Sequence, residues 1–494
     1  MHLLDQIDEW GRKAPDRPAH ISSGRSMSWS ELVNRSDLLA SKLAALLPGN
    51  RAPIAVVGHK EPEMLVGFLG CVKSGHPYVP IDVSIPPERR ERIITIAAAA
   101  LVLDAGKITE LAPAGATVVR PDPALRIGDA DPYYIIFTSG STGEPKGVVI
   151  TLACLQSFVD WTLDEQKIAE AGEVFLNQAP FSFDLSVMDL YASLTTGGTL
   201  FSITRDEIGN LRKLFAALAV SGITFWVSTP SFAQMCLVEK RFSTGMMPAM
   251  RTFWFCGETL PADVAAGLLD RFPLAQVWNT YGPTEATVAT TSVLIDPVLA
   301  RQSPLPVGYA KPGTAVVCLG EDEKCVPKGE RGEIVIAGPN VSPGYLARPD
   351  LTANAFFKLD GVNAYRTGDW GRIKNGLVFF EGRMDAQIKL HGYRIELGDV
   401  EANLRAIRGV YDAVILADMK NQIATSLVAF VALAEKPAGD QEFNAALALK
   451  EELAKKLPSY MIPRTFVFLE SLPMTPNGKA DRRKLAEFLQ RERA

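Results

Sequence analysis

A loop of small and hydroxyl-bearing residues is the part of the sequence best suited to bind an anion. The loop reads Thr138-Ser-Gly-Ser-Thr-Gly-Glu-Pro-Lys-Gly147 and follows the apolar run 133–137. Small residues after a strand expose successive backbone N–H groups, which can surround a phosphate, and Lys146 adds a positive charge. The residue order differs from the G-x-x-x-x-G-K-[ST] pattern of a Walker loop. The segment therefore predicts a phosphate-binding loop of another kind.

Short aliphatic and aromatic runs alternate with helical segments through most of the sequence. The runs that predict buried strands are 54–58, 133–137, 173–177, 223–228 and 251–256. Before the first of these runs, apolar residues recur at three and four positions over 30–47, which is the period of an amphipathic helix. The alternation predicts an α/β fold and places the phosphate loop at the end of a strand.

The pattern changes near residue 305. From about 305 to 382, short strand-like segments are separated by turn signals such as Lys311-Pro-Gly and Ala337-Gly-Pro-Asn, which predicts a small β-rich subdomain. A mixture of helical and strand patterns follows over 386–494. We therefore expect a domain boundary near Asp385, which divides the chain into 1–384 and 385–494. The sequence has no internal repeat, which argues against solenoids and propellers.

Composition and charge exclude several classes of protein. The chain has 494 residues, of which 47% are hydrophobic and 22% charged, and its net charge is −5, so it predicts a globular protein and gives no electrostatic reason to bind nucleic acid. The apolar stretch 93–103 is too short to span a bilayer. The acidic amino terminus does not resemble a signal peptide, and the six cysteines form no C-x-x-C pair. We expect a cytoplasmic protein with free thiols.

Several further segments identify the sequence as similar to the adenylate-forming enzymes, a superfamily that includes acyl-CoA synthetases, luciferases and peptide-synthetase adenylation domains. In the family's order, the matching segments are the loop 138–147, Asn279-Thr-Tyr-Gly-Pro-Thr-Glu285, Tyr365-Arg-Thr-Gly-Asp369, Gly382-Arg-Met-Asp-Ala-Gln-Ile-Lys389, His391-Gly-Tyr-Arg-Ile-Glu396 and Pro476-Asn-Gly-Lys479. The resemblance implies a large N-terminal domain of two α/β sheet subdomains plus a small β-barrel-like subdomain. It also implies a small mobile α+β C-terminal domain.

The resemblance assigns roles in binding ATP and Mg²⁺. Lys479 resembles the catalytic lysine that reaches both the reacting carboxylate and the α-phosphate, where positive charge offsets two anions that must approach each other. Glu285 resembles the ligand of Mg²⁺, and Asp369 the acceptor of the ribose hydroxyls, with Arg383 nearby. The ATP-binding residues implied by the match are Thr138, Ser139, Gly140, Ser141, Thr142, Gly143, Lys146, Asn279, Thr280, Tyr281, Gly282, Thr284, Asp369, Arg383 and Lys479.

Other segments resemble the branch of the superfamily that activates D-alanine. They are 177–191, Trp226-Val-Ser-Thr-Pro-Ser-Phe and Phe255-Cys-Gly-Glu258. Asp184 lies between an aromatic and an apolar residue, so we expect it to be partly buried, and by resemblance it pairs with the substrate's α-ammonium group. Cys256 and Val288 match residues that bound the substrate side chain, and Lys479 also contacts the substrate. A cysteine in this position disfavours the L-enantiomer by steric conflict.

The implied reaction has two steps. D-alanine and MgATP give D-alanyl adenylate and pyrophosphate, and a phosphopantetheine thiol of a carrier protein then takes the D-alanyl group. By resemblance the C-terminal domain rotates about a hinge at Asp385 between the steps. Because only 480–494 follow Lys479, we expect the carrier to be a separate protein acting in trans. In the matching branch that carrier serves D-alanylation of lipoteichoic acid, and the ligase is a monomer.

Three alternatives remain open at this point. The first is a ligase for another small amino acid, such as glycine, L-alanine or serine, which loads a peptide-synthetase carrier. The second is an inactive homologue that binds ATP or a carrier as a regulatory partner, and the intact motifs around Lys479, Glu285 and Asp369 argue against it. The third is an acyl-CoA synthetase, which Asp184 disfavours because fatty and aryl acids lack an ammonium group.

The segment around Gly398-Asp399 departs from the paired acids expected in the Gram-positive relatives, so a divergent lineage also fits.

Overall fold

The fold comes from a computed structural model that describes residues 2–140, 143–168, 172–385, 387–390, 392–420, 423–433, 437, 439–474 and 480–491. The chain forms two compact units. Unit 1 contains residues 1–83, 94–137 and 147–384, and unit 2 contains residues 84–93, 138–146 and 385–494. The predicted α/β fold is confirmed.

The strands of the described chain, in order, are β1 (Pro18–Ser22), β2 (Arg25–Ser28), β3 (Ile54–Gly58), β4 (Tyr78–Asp82), β5 (Leu101–Asp104), β6 (Pro132–Thr138), β7 (Lys146–Thr151), β8 (Val174–Asn177), β9 (Thr199–Ser202), β10 (Phe225–Ser228), β11 (Thr252–Phe255), β12 (Gln276–Tyr281), β13 (Thr291–Leu294), β14 (Tyr309–Ala310), β15 (Ala315–Leu319), β16 (Gly332–Ala337), β17 (Gly344–Tyr345), β18 (Phe356–Leu359), β19 (Val362–Lys374), β20 (Leu377–Arg383), β21 (Gln387–Leu390), β22 (Tyr393–Glu396), β23 (Val410–Lys420), β24 (Ile423–Leu433) and β25 (Thr465–Leu469).

The α-helices are α1 (Leu3–Lys13), α2 (Trp29–Leu46), α3 (Pro62–Lys73), α4 (Pro87–Ile96), α5 (Ala105–Leu111), α6 (Leu152–Gln166), α7 (Leu185–Thr196), α8 (Arg205–Ile208), α9 (Leu211–Val220), α10 (Pro230–Leu237), α11 (Ala262–Arg271), α12 (Pro349–Ala355), α13 (Leu397–Arg405), α14 (Asp440–Lys456) and α15 (Arg482–Arg491). Short 3₁₀ turns occur at Pro123–Leu125, Thr284–Ala286, Leu299–Arg301 and Ser459–Met461.

Unit 1 is built on two large sheets. One has the strand order β14-β13-β12-β11-β10-β8-β9-β1-β2, and its central strands, from β12 to β1, run parallel. The other has the order β17-β7-β6-β4-β3-β5. Strands β10 and β11 are buried along their whole length, as continuous aromatic and aliphatic runs in a covered parallel sheet should be.

The strand-rich region after residue 305 forms a smaller sheet in unit 1. Its order is β15-β16-β19-β18, and β20 pairs with β19. Three details differ from the sequence pattern. Strands β14 and β17 lie within 305–382 but pair with β13 and β7, which belong to the two large sheets. Helix α12 interrupts the run of strands because Pro349 can begin a helix at its first turn.

Unit 2 contains the pair β21-β22, the sheet β23-β24-β25 and the helices α13, α14 and α15. Its core is made by apolar residues of β23, β24 and α13, including Ile415, Phe430 and Leu404, all of which are buried. Two segments from earlier in the chain, 84–93 and 138–146, contact these elements and belong to the same unit. The second of them is the predicted phosphate loop.

Candidate active site

The carboxyl ends of parallel strands place several predicted residues at one edge of the large sheet. Asn177 ends β8, Cys256 follows β11, and Tyr281 ends β12. Ligands of open α/β sheets bind at this edge, because loops leave every parallel strand there. The edge in unit 1 is therefore the first place to look for a substrate site.

Asp369 is a buried carboxylate held by two side chains. Tyr281 donates its hydroxyl to Oδ2 at 2.5 Å, and Arg383 donates to Oδ1 at 2.7 Å. Asp369 and Arg383 face each other across the β19–β20 pair, which fixes their approach. Burial and the charge of Asp369 raise the pKa of Tyr281 well above its ordinary value, so the phenol stays a donor. The Asp369 carboxylate is therefore an anionic hydrogen-bond acceptor in a fixed position.

The other predicted residues of this segment serve mainly to hold the backbone. Asn279 donates to the Pro306 carbonyl at 2.8 Å, and Thr280 donates to the Phe255 carbonyl at 2.8 Å. Gly282 lies so close to the next turn that an added Cβ would come within 2.6 Å of the Ala289 Cα atom. The backbone after β12 therefore runs past this turn with no space for a larger residue.

Glu285 lies within the short helical turn Thr284–Ala286 and is fully buried. Tyr345 donates its hydroxyl to Oε1 at 2.7 Å, and the Ser342 N–H donates to the Glu285 carbonyl at 2.9 Å. An isolated carboxylate is expensive to bury, so its charge needs donors or a cation. The Tyr345 hydroxyl is such a donor, and the carboxylate oxygens of Glu285 are ligands of the kind that Mg²⁺ prefers.

Cys256 and Val288 come together in the core of unit 1. The thiol of Cys256 donates to the Val288 carbonyl at 3.5 Å, and both residues are almost wholly buried. Thr287 and Val288 have φ values of 56° and 68°, which β-branched residues adopt rarely. Such strain costs about 1–3 kcal/mol per residue and persists only where surrounding contacts impose it.

Asn340 supplies those contacts. Its Nδ2 donates to the Ala286 carbonyl at 2.7 Å and to Thr290 Oγ1 at 3.1 Å, while its own carbonyl accepts from Thr287 at 2.7 Å. Sequence reasoning missed this residue as part of the site. The local pattern Ala337-Gly-Pro-Asn predicts only a turn, and it does not indicate a contact with residues 286–290, about 50 positions earlier in the chain.

Asp184 immediately precedes α7 and is half-buried, as the sequence predicted. Its charge contributes, after burial and a neighbouring tyrosine, to raising the pKa of Tyr134. The loop before it is anchored by Lys60, a buried lysine that donates to the Asn177 side chain and to the Ala179 carbonyl. Burial lowers the pKa of Lys60 to about 7.

The phosphate loop lies in unit 2, where it contacts β22 and α13. The Ser139 hydroxyl donates to the Arg394 carbonyl at 2.9 Å and accepts from the Glu396 N–H at 3.1 Å. Gly143 has a φ of +85°, and its N–H donates to the Gly140 carbonyl at 3.1 Å. The loop is shorter than predicted at both ends, because β6 includes Thr138 and β7 begins at Lys146.

An ion pair lies beside the loop in the same unit. Arg89 contacts Asp399 at 2.8 Å, and Asn403 donates to the same carboxylate at 3.0 Å. Asp399 is fully buried, and a Cβ added to Gly143 would lie 3.2 Å from the Ala402 Cβ atom. Segment 84–93, the loop and α13 thus form one packed arrangement.

Three predicted residues, Ser141, Thr142 and Lys479, lie outside the described residues. Asp385, the predicted hinge, is exposed, and its Oδ1 accepts from the Gln387 N–H at 3.0 Å.

The residues that are described suit ATP and Mg²⁺. Asp369 is a fixed acceptor for hydroxyl groups, and within the described part of the chain the buried hydroxyl of Thr138 has no hydrogen-bond partner, as expected of a donor to phosphate. Among the described residues, no group of three or more His, Cys, Asp or Glu side chains is arranged so that it could hold a metal ion. A single carboxylate such as Glu285 matches Mg²⁺, which keeps several waters and is bound largely by substrate phosphates. Over the same residues, no helix is both long and apolar enough to cross a membrane.

Comparison with known proteins gives consistent matches over both units. Residues 7–346 match the AMP-binding enzyme family, and residues 399–479 match the AMP-binding enzyme C-terminal domain. The chain is 48% identical to proteins named D-alanine--D-alanyl carrier protein ligase from Bacillus thuringiensis (strain Al Hakam) and Bacillus cereus (strain AH820), with 98% of this chain and 99% of each relative covered.

Solved structures give the same fold. One neighbour is the Vibrio cholerae adenylation domain AlmE in complex with glycyl-adenosine-5'-phosphate, with a TM-score of 0.83, 22% identity, and coverage of 99% of this chain and 97% of that one. Another is holo-PA1221, a protein containing adenylation and PCP domains, with a TM-score of 0.81, 26% identity, and coverage of 98% and 84%.

Proposed function

The chain belongs to the AMP-binding enzyme family and, within it, to the D-alanine–D-alanyl carrier protein ligases, and we propose that it performs their reaction. ATP activates D-alanine as D-alanyl adenylate with release of pyrophosphate. The adenylate then passes its D-alanyl group to the phosphopantetheine thiol of a separate carrier protein. The observation that carries this proposal is the 48% identity to curated relatives over nearly the whole of both chains.

ATP-binding roles are proposed for residues of each unit separately. In unit 1, Asp369 accepts the ribose hydroxyls, and Tyr281 and Arg383 keep its carboxylate in place. In unit 2, the loop from Thr138 to Lys146 donates its N–H and hydroxyl groups to the phosphates. The buried hydroxyl of Thr138, which has no hydrogen-bond partner among the described residues, supports this role.

D-alanine binding falls to residues at the sheet edge of unit 1. Asp184 pairs with the α-ammonium group, which selects an amino acid over a fatty acid. Cys256 and Val288 bound the methyl group, and their mutual contact at 3.5 Å fixes the wall of that space. A wall of this kind discriminates between enantiomers by steric fit rather than by charge.

The reaction needs positive charge where two anions meet. Lys479 supplies it by contacting the carboxylate of D-alanine and the α-phosphate, so its ammonium stabilises the charge that develops as the acyl–oxygen bond to phosphorus forms. Glu285 is the residue that would hold Mg²⁺, which, when bound, neutralises the phosphate oxygens and assists the departure of pyrophosphate.

In the second step the carrier thiol attacks the carbonyl carbon, a carbon–sulfur bond forms and AMP leaves. We infer that residues 385–494 rotate about Asp385 between the steps, so that Lys479 leaves the site before the thiol enters. Asp184, Cys256 and Val288, which hold the substrate, would then stay in place while Lys479 moves.

The setting of the reaction is also part of the proposal. We assign the enzyme, as a monomer, to D-alanylation of lipoteichoic acid in the cytoplasm. None of the six cysteines, all within the described residues, forms a disulfide bond, which supports a reducing compartment.

The acceptor can be tested directly. The purified enzyme is incubated with ATP, D-alanine and either a phosphopantetheinylated D-alanyl carrier protein or free coenzyme A, and the product is identified by mass. We expect the carrier to gain one D-alanyl group and the coenzyme A reaction to be much slower. Faster transfer to coenzyme A would contradict the proposal and favour an acyl-CoA synthetase.

A further inference from the structure

The carboxylate of Glu285 is oriented by a neighbour whose position is itself fixed at several points. Tyr345 donates its hydroxyl to Glu285 Oε1 at 2.7 Å. The Tyr345 N–H donates to Thr352 Oγ1 at 3.0 Å, and its ring meets Phe356 edge to face with centroids 5.3 Å apart. Tyr345 is almost wholly buried, so its hydroxyl has one defined place.

The backbone around the two residues is equally constrained. The Ser342 N–H donates to the Glu285 carbonyl, and the Ser342 hydroxyl donates to the Val149 carbonyl at 2.6 Å. Gly344 has a φ of +140°, and a Cβ there would lie 2.4 Å from Thr352. Segment 342–345 is therefore a rigid support that holds both the main chain and the side chain of Glu285.

The direction of the hydrogen bond is settled by chemistry. An ionised carboxylate accepts and does not donate, so the phenol must direct its proton to Oε1. The hydroxyl of Tyr365 lies 3.4 Å from that of Tyr345, where it can donate in turn. A carboxylate has about four acceptor positions, so a phenol at one of them still allows a cation to bind.

We propose that Tyr345 is a positioning residue for the divalent cation that accompanies ATP: its hydroxyl fixes the rotation of the Glu285 carboxylate so that the carboxylate faces the metal. The inference rests on the role proposed above for Glu285. Mg²⁺ demands near-octahedral geometry at about 2.0–2.1 Å, so a carboxylate free to rotate binds it less well. Loss of a hydrogen bond that orients a metal ligand typically lowers metal affinity by roughly 10- to 100-fold.

The test measures metal binding and needs no turnover. Mn²⁺ is titrated into the full-length protein with the non-hydrolysable analogue α,β-methylene-ATP, and free Mn²⁺ is followed by electron paramagnetic resonance. We expect Tyr345→Phe to raise the Mn²⁺ dissociation constant by about tenfold or more. The affinity for the analogue without metal should stay within about twofold of the wild type, because the variant leaves Asp369 and the phosphate loop intact.

Tyr78→Phe is the matched control. It also removes a buried phenol from a hydrogen bond, the one between Tyr78 and Tyr191 at 2.8 Å, in the same unit. A general loosening of unit 1 would weaken Mn²⁺ binding in both variants, whereas a positioning role predicts weakening only in Tyr345→Phe. Glu285→Asp provides a second route, since it keeps the charge but withdraws the carboxylate from the phenol, and it should also weaken Mn²⁺ binding.

Glu285→Gln separates this inference from the proposal on which it rests. If Glu285→Gln binds Mn²⁺ normally, Glu285 is not the metal ligand and both statements fall. If Glu285→Gln weakens binding while Tyr345→Phe stays within about twofold of the wild type, only the positioning role is overturned. In the Glu285→Gln background, Tyr345→Phe should have no further effect, and a full tenfold additional loss would refute the coupling.

Discussion

Replacing Cys256 with alanine should relax the discrimination between D-alanine and L-alanine. The sulfur of Cys256 is buried and lies 3.5 Å from the Val288 carbonyl, so the wall that it makes cannot easily move. The substitution removes one large atom and opens space comparable to a methyl group. We expect the L-enantiomer to be admitted more readily, with little change for D-alanine.

The size of the effect follows from the volume involved. A difference of one methylene in an apolar pocket is worth about 1–3 kcal/mol. Each 1.4 kcal/mol corresponds to about a tenfold change in the ratio of kcat/KM. We therefore expect Cys256→Ala to raise the ratio of kcat/KM for L-alanine to that for D-alanine by about tenfold, measured by ATP–pyrophosphate exchange with each enantiomer.

A second buried cysteine makes the control. Cys236 on α10 is fully buried in the separate apolar cluster that packs around Trp226, so Cys236→Ala also removes one buried sulfur from unit 1. Its effect on the enantiomer ratio should be less than about twofold, because the pocket wall is intact. An unchanged ratio in Cys256→Ala, or an equal change in Cys236→Ala, would refute the assignment of Cys256 to the substrate pocket.

Three further predictions address other parts of the chain. Asp385→Pro should slow transfer to the carrier more than adenylation, because proline restricts the backbone at the proposed hinge, and equal losses in the two assays would argue against a hinge there. Arg89→Met should lower the free energy of unfolding, measured by urea denaturation, by about 3 kcal/mol, because it leaves the buried carboxylate of Asp399 without its cation. The double variant Arg89→Met/Asp399→Asn should recover most of that loss. If it recovers none, the ion pair is not the cause of the lost stability. Burial, and then the charge of Lys60, lower the pKa of His20 to about 3, so the unfolded chain takes up a proton there below about pH 6.5 and the folded chain does not. Unfolding free energy should therefore fall more steeply between pH 6.5 and pH 4 in the wild type than in His20→Gln, by up to about 1.4 kcal/mol per pH unit, and identical slopes would contradict this origin.

The sequence predicted the α/β fold well because buried strands carry local signals. Strands β3, β10 and β11 coincide with the aliphatic and aromatic runs 54–58, 223–228 and 251–256 to within two residues. Helix α2 begins at Trp29 because Ser28 caps it by accepting from the Glu31 N–H. Such signals depend only on residues near one another in the sequence, so they predict strands and helix starts before the fold is known.

The contacts that organise the site join residues far apart in the chain, and no local sequence pattern indicates them. Tyr345 meets Glu285 across 60 residues, and Arg89 meets Asp399 across 310. The motif around Tyr365 and Asp369 predicted an acceptor for hydroxyl groups, but not that Tyr281 would be its hydrogen-bond donor. Residue types indicate what chemistry is available, whereas the strand register decides which groups meet.

The contacts within unit 2 could not be predicted from the sequence pattern either. The sequence predicts the phosphate loop at the end of a strand and residues there that can bind an anion. Nothing in Ser139 indicated that its hydroxyl would bridge two backbone groups of β22, or that segment 84–93 would pack with α13. The Ser139 contacts involve backbone atoms and a small side chain, which carry little sequence signal, and the Arg89–Asp399 pair joins residues 310 positions apart.

The central claim is that this chain activates D-alanine as an adenylate, and amino-acid-dependent ATP–pyrophosphate exchange tests it most directly because the assay needs no carrier. D-alanine, L-alanine, glycine and D-serine are compared for the wild type and Lys479→Ala. We expect the strongest exchange with D-alanine and the loss of that exchange in Lys479→Ala. Preference for another amino acid, or no exchange with any of the four, would contradict it.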